Sequence, residues 1–107
     1  MTQIRPNVSI LMMIITVLRC FADRNKRITV HKIIQMTSLD NADAIPQLNL
    51  LCEWRWIEVY ESKQKIHTYI PTDAHGCPKV CVFVRLTKNQ NKILEIKQWI
   101  NQVVQVL

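Results

Sequence analysis

The sequence has little glycine and lacks the motifs of an enzyme active site. Its 107 residues include one glycine, Gly76, and four prolines, so a glycine-rich phosphate loop is excluded and a helix-rich fold is favoured. There is no Ser/His/Asp order and no paired-carboxylate motif. Asp40 and Asp43 lie close together, but helix capping accounts for them. We therefore expect a protein that is not an enzyme and uses no cofactor.

An apolar run long enough to span a membrane is also lacking. The main run, residues 10–18, is well short of the roughly 20 residues that a span needs. Arg19 and Cys20 follow it and do not form a signal-peptide cleavage site. Without a secretory signal, the four cysteines are not expected to form a disulfide framework. These features predict a cytoplasmic, reduced protein with no membrane partner.

The net charge of +6 is unevenly distributed. Residues 1–27 carry five Lys/Arg and one Asp, residues 28–62 carry two Lys/Arg against five acids, and residues 63–92 carry six Lys/Arg against one acid. Basic segments therefore flank an acidic one. Because phosphate contacts supply most sequence-independent affinity for DNA, basic flanks favour a nucleic-acid partner.

Apolar periodicity predicts two helices joined by a short strand in the first part of the chain. Asn7 is a plausible N-cap for a helix that begins at residue 8. Ile28 is predicted as a strand residue, and Thr29 as the N-cap of a helix over residues 30–36. The polar residues 37–41 then form a turn.

The second part is predicted to contain a helix, a hairpin, another strand and a final helix. Pro46 must lie in the first turn of the helix before residue 55, or kink it. Strands over residues 56–61 and 65–70 frame a basic tip. Continuously apolar residues 80–84 predict a further, buried strand. Thr87 or Asn89 caps the last helix.

Residues 48–59 carry a resemblance to a known family. Leu48 and Leu51 form a leucine pair, and Trp56-Ile57 opens the next strand. This resembles the end of the recognition helix and the first wing strand in MarR-, ArsR- and PadR-type winged helix-turn-helix regulators, although Arg55 stands where glycine is usual. Residues 84–89 look like the segment that closes the wing, and residues 69–72 are a second candidate. The resemblance extends over about residues 10–72.

The resemblance implies an α+β, mainly α, winged helix-turn-helix domain over residues 1–107. Its helices and wing would occupy residues 8–72, and an extra strand and a C-terminal dimerisation helix would occupy residues 73–107. The implied function is sequence-specific binding of double-stranded DNA in transcription control, as a homodimer. Basic side chains are expected to contact phosphates, and the amides of Gln47 and Asn49 are expected to read bases. The full set of expected DNA contacts is Arg24, Lys26, Arg27, His31, Lys32, Gln47, Asn49, Arg55, Lys63, Gln64 and Lys65.

The expected dimer interface combines apolar stripes of the first and last helices. It comprises Val8, Leu11, Ile15, Leu18, Ile93, Ile96, Ile100, Val103 and Leu107. The alternative for these stripes is packing within one chain.

Two alternatives to DNA binding remain open. The helix within residues 40–54 carries Asp40, Asp43 and Glu53 and no Lys or Arg, which suits a protein partner better than DNA. A thiol- or metal-responsive regulator would use Cys77 and Cys81, with His75 and His67 as further ligands. Nothing fixes such a geometry, so no metal site is predicted. Core packing is the expected role of Trp54 and Trp56, with a ligand pocket or partner surface as the alternative.

Overall fold

The computed structural model describes residues 4–24, 26–65 and 68–106, which form four helices and one antiparallel sheet of four strands. The helices are α1 (Val8–Asp23), α2 (Val30–Thr37), α3 (Asn41–Glu53) and α4 (Gln90–Val106). The strands are β1 (Ile28–Thr29), β2 (Ile57–Glu61), β3 (Gln64–Lys65) and β4 (Val82–Leu86). The predicted α+β class with mostly helical structure is confirmed.

Side-chain caps begin α1 and α2 at the predicted residues. Asn7 Oδ1 accepts the backbone N–H of Ile10 at 3.1 Å, and Thr29 Oγ1 accepts that of Lys32 at 3.1 Å. Each cap satisfies an amide that has no partner within its helix, a contribution of about 1 kcal/mol.

Pro46 lies deeper in its helix than predicted. α3 begins at Asn41, so Pro46 is in the second turn rather than the first. Its ring removes the hydrogen bond that the carbonyl of Ala42 would otherwise accept. Ala42 is exposed, so water can reach that carbonyl.

The sheet has the order β1-β4-β2-β3, and β4 is its central strand. The buried strand predicted over residues 80–84 is thus β4, which begins two residues later and pairs within the same chain. Val84 pairs with Ile28 of β1 on one side and with Val59 of β2 on the other. A short segment before α2 and a hairpin after α3 are thereby joined in one sheet.

This register places only one of the two segments that were predicted to close a wing in the sheet. β4 pairs with β2 along its whole length, so residues 84–89 begin in that strand and residues 69–72 are not part of it. Of the strand predicted over residues 65–70, the described residues include only Lys65 in a strand, at the end of β3. Residues 66–67 lie outside the described residues, and residues 68–70 are not in a strand.

The core lies between one face of this sheet and the helices α1, α2 and α3. Val59, Val82 and Val84 are almost fully buried and alternate with half-buried side chains on the opposite face. The other large side chains with less than 2% exposure are Leu11, Ile14, Ile15, Leu18, Val30, Ile33, Leu48 and Leu51. None of the helices in the described ranges is long and apolar enough to cross a membrane.

This packing contradicts much of the predicted dimer interface. Leu11, Ile15 and Leu18 are at most 1% exposed, and Ile96 is 4% exposed, so they are buried within one chain and cannot contact a partner. Of the other predicted positions, Leu107 lies outside the described residues, Val8 is exposed, and three are half-buried: Ile93, Ile100 and Val103.

Candidate nucleic-acid interface

Gln47, predicted to read bases, is a buried structural residue. It is 6% exposed, and both ends of its amide have partners in the N-terminal arm. Its Oε1 accepts the N–H of Asn7 at 2.8 Å, and its Nε2 donates to the carbonyl of Arg5 at 2.9 Å. Bidentate recognition of adenine would require both groups to be free and accessible. Base reading by Gln47 is therefore contradicted.

Asn49 and His31 hold the loop that precedes β4. Asn49 Oδ1 accepts the N–H of Ile70 at 2.7 Å, and His31 Nε2 donates to the carbonyl of Pro78 at 2.8 Å. Asn49 Oδ1 and the His31 ring are thus engaged within the chain, which does not favour the DNA contacts predicted for these two residues. This loop therefore lies against both α2 and α3.

The loop has its own internal bonds. The Asp73 carboxylate accepts the N–H of His75 at 2.8 Å and that of Cys77 at 3.0 Å. Gly76, the only glycine, has φ 78°, a conformation that other residues rarely adopt. Asn41 Nδ2 at the start of α3 donates to Cys77 Sγ at 3.5 Å. The loop therefore has a defined conformation and lies over part of α3.

As a result, α3 presents little surface that could enter a DNA groove. Only Ala42, Asp43 and Glu53 are classed as exposed among its 13 residues. The two carboxylates would repel phosphates, and the alanine carries no hydrogen-bonding group. The helix that would read bases in a winged helix is not suited to that role here.

A basic groove lies elsewhere on the molecule. It has a volume of about 750 Å³ and runs between the last turn of α1, the segment before β1, the end of β4 and the first turns of α4. Leu86, Ile93 and Ile96 contribute apolar surface to it. Its charged lining residues are Arg19, Asp23, Lys26, Arg27, Arg85, Lys88 and Lys97.

Most of this positive charge is not neutralised within the chain. Among the described residues, salt bridges join only Lys65 and Arg85 to Glu58 and Lys92 to Glu95. The groove cations Arg19, Lys26, Arg27, Lys88 and Lys97 therefore have no salt-bridge partner there. Like charges gathered around one depression create a local positive potential that attracts anions.

A tryptophan cluster fixes the α4 wall of the groove. The rings of Trp54 and Trp56 are 5.0 Å apart and those of Trp56 and Trp99 are 5.9 Å apart, both in edge-to-face geometry. Trp56 Nε1 donates to Glu95 Oε2 at 3.1 Å, and the carbonyl of Trp56 accepts the N–H of Thr87 at 2.9 Å. These contacts, which agree with the predicted packing role of Trp54 and Trp56, hold α4 beside β4.

The groove gathers only part of the predicted contact set. Lys26 and Arg27 line it, and Arg24, which follows the lining residue Asp23 in the sequence, is exposed. Four of its cations were not predicted, because they come from α1, β4 and α4, far apart in the sequence. These four are Arg19, Arg85, Lys88 and Lys97. The basic balance of residues 1–27 was the available signal for Arg19, and that of residues 63–92 was the signal for Arg85 and Lys88.

The remaining predicted contacts lie elsewhere. Lys63 and Gln64 are exposed at the β2–β3 hairpin, and Lys32 is exposed at the start of α2. Arg55 is exposed and has φ 61°, so an arginine adopts the left-handed conformation for which the family pattern has glycine. Lys65 Nζ lies 3.2 Å from Glu58 Oε2, so its charge is shared with a carboxylate.

The outward face of the sheet carries a network centred on Glu58. Arg85 Nε donates to Glu58 Oε1 at 2.7 Å, and Arg85 Nη2 donates to Tyr60 Oη at 2.8 Å. Burial favours a raised Glu58 pKa, but hydrogen bonds and charges from Arg85 and Lys65 outweigh it and lower the pKa. The bond to Glu58 in turn raises the pKa of Arg85.

The cysteines do not form a metal site in the described part of the chain. No group of three or more potential ligands comes together there, and His67 lies outside the described residues. Cys81 and Cys20 are exposed, Cys77 is half-buried, and all four thiols are free. Burial raises the pKa of Cys52 to about 12, which keeps it an unreactive thiol.

Comparison with known proteins adds no family assignment: no family model, curated protein or solved structure matches the chain.

Proposed function

We propose that this chain is a winged-helix-type domain that binds nucleic acid through phosphate contacts in its basic groove. The fold part of the proposal is supported by the order α1, β1, α2, α3, β2, β4, with β4 paired between β1 and β2. That order agrees with the resemblance found around residues 48–59. The β2–β3–β4 connection corresponds to the wing.

The functional part rests on one observation, the cationic groove. Arg19, Lys26, Lys88 and Lys97 line it without a salt-bridge partner in the described chain, and Asp23 is its only acidic lining residue. Lysine and arginine that replace the counterions of phosphates provide salt-dependent affinity without reading sequence. Because α3 is covered, the proposal does not include base reading by that helix.

Fluorescence anisotropy with a labelled, mixed-sequence DNA oligonucleotide, as a duplex and as a single strand, at several salt concentrations tests the proposal. The groove variant replaces Lys26 and Lys88 with alanine. If both lysines contact phosphates, the slope of log K against log salt for the duplex should become shallower by about 1.8, since each contact contributes about 0.9.

The matched control replaces Lys32 and Lys79 with alanine. Both are exposed and neither lines the groove, so this variant loses the same two charges at a different place. It should retain nearly the full slope. Equal slopes for the two variants, or no salt-sensitive binding of either strand form by the unmodified protein, would contradict binding in the groove.

A further inference from the structure

Next to the groove, two aromatic side chains lie together on the outward face of the sheet. Tyr60 of β2 and Phe83 of β4 are directly paired across the two strands. Both are half-buried, whereas their neighbours Val59 and Val84 are almost fully buried in the core. The helices α1, α2 and α3 pack on the core face of the sheet, which bears Val59 and Val84. Tyr60 and Phe83 therefore form a small aromatic surface, called here the aromatic pair.

Two arginines connect the aromatic pair to the groove. Arg27 Cζ lies 5.1 Å from the Tyr60 ring centroid and 6.0 Å from that of Phe83, and Arg85 Cζ lies 5.1 Å from the Tyr60 ring. Arg27 and Arg85 also line the groove. The aromatic rings and the phosphate-binding cations are thus continuous on one surface.

We infer that the nucleic acid bound here is single-stranded, with an unpaired base stacked on the aromatic pair while its backbone follows the basic groove. This inference rests on the proposed function and adds the class of nucleic acid. Aromatic rings beside a cationic channel suit single strands, because every base has a π-face that is covered in a duplex. Arg27 now lies over both rings, and in the complex it turns to a phosphate and leaves room for the base, while Arg85 stays beside the Tyr60 ring.

A nucleic-acid duplex fits this surface less well than a single strand does. Duplex recognition by this fold would place α3 in the major groove, where the loop and the N-terminal arm now lie against it. Paired bases present only their edges, so they cannot stack on Tyr60 and Phe83. A single strand uses both the rings and the cations.

Anisotropy titrations with one mixed-sequence oligonucleotide, single-stranded and as a duplex, test the inference. The variant Phe83→Leu keeps an apolar side chain but removes a ring. It should bind the single strand at least ~5-fold more weakly, the lower end of the effect of losing one stacked base. Its salt slope and its duplex affinity should stay unchanged, because no phosphate contact is removed.

A control variant and a second readout separate stacking from other effects. The control, Tyr69→Leu, removes an aromatic ring that is 53% exposed on the loop and is not part of the pair, so it should retain affinity. A 2-aminopurine base in the single strand provides a second readout, since stacking should quench its fluorescence with the unmodified protein and less with Phe83→Leu. Thermal unfolding of each variant verifies that it is folded.

The outcomes distinguish this inference from the proposed function. Salt-sensitive binding with equal affinity for the single strand and the duplex would overturn stacking and leave groove binding intact. The same conclusion would follow if Phe83→Leu did not weaken binding of the single strand selectively. Absence of salt-sensitive binding to either form would overturn both. A selective loss for the single strand together with weaker quenching would support the inference.

Discussion

Replacing Gln47 with alanine should destabilise the fold without affecting nucleic-acid binding. Gln47 is 6% exposed and bridges α3 to the N-terminal arm through bonds of 2.8 Å to Asn7 and 2.9 Å to Arg5. Each such bond contributes a net 0.5–1.5 kcal/mol, so we expect the free energy of unfolding to fall by about 2 kcal/mol. Asn7 is also the N-cap of α1, so the loss extends to the start of that helix.

Thermal unfolding followed by tryptophan fluorescence measures this effect. For a domain of this size, about 2 kcal/mol corresponds to a decrease in Tm of roughly 10 °C. Gln98→Ala, at an exposed position of α4, is the matched control and should change stability by less than about 0.5 kcal/mol. If Gln47→Ala keeps its Tm but loses affinity for DNA, Gln47 contacts nucleic acid and its assignment as a structural residue is wrong.

Three further predictions concern charge, backbone strain and thiols. The lowered pKa of Glu58 means that its carboxylate stabilises the fold above its unfolded pKa, near 4.5, and that this contribution is lost as pH falls through the lower folded value. Glu58→Gln should therefore lose less stability than the unmodified protein in urea unfolding between about pH 5 and pH 3, and an equal loss in both would count against the network. Arg55→Gly should raise the urea midpoint by removing left-handed strain, a net gain of about 0.5–1 kcal/mol after the added chain entropy of glycine, whereas a lower midpoint would show that the arginine side chain matters more. Iodoacetamide applied to the native protein should modify Cys81 rapidly and Cys52 only after unfolding, as judged by peptide mass spectrometry, and early modification of Cys52 would contradict its burial.

Local sequence signals predicted much of the fold. The N-caps Asn7 and Thr29 are recognisable from the sequence because the capping interaction is local. The side chain of the cap residue accepts a hydrogen bond from the backbone amide three residues later. Apolar patterns with a period of 3.6 residues located helices, and the apolar pair Trp56-Ile57 before a polar tip located β2. Pro46 was misplaced within its helix because capping chemistry at residues 40–43 allowed several starting points.

The candidate site was harder to predict because its contacts join distant parts of the chain. Gln47 and Asn49 have the side chains of base readers, and only their bonds across 40 and 21 residues show that they are structural. The groove similarly combines α1, β4 and α4, which no local pattern links. The apolar stripes of α1 and α4 indicate burial, but a stripe does not say whether its partner is the same chain or a second copy.

The measurement that most directly tests the account is a titration of the isotopically labelled protein with a mixed-sequence oligonucleotide, followed by backbone amide chemical shifts. The account predicts that the largest shifts occur along the groove, at Lys26, Arg27, Thr87 and Lys88, with little change in α3. Shift changes concentrated in residues 41–53, with no change along the groove, would contradict groove binding and would indicate that α3 contacts the nucleic acid.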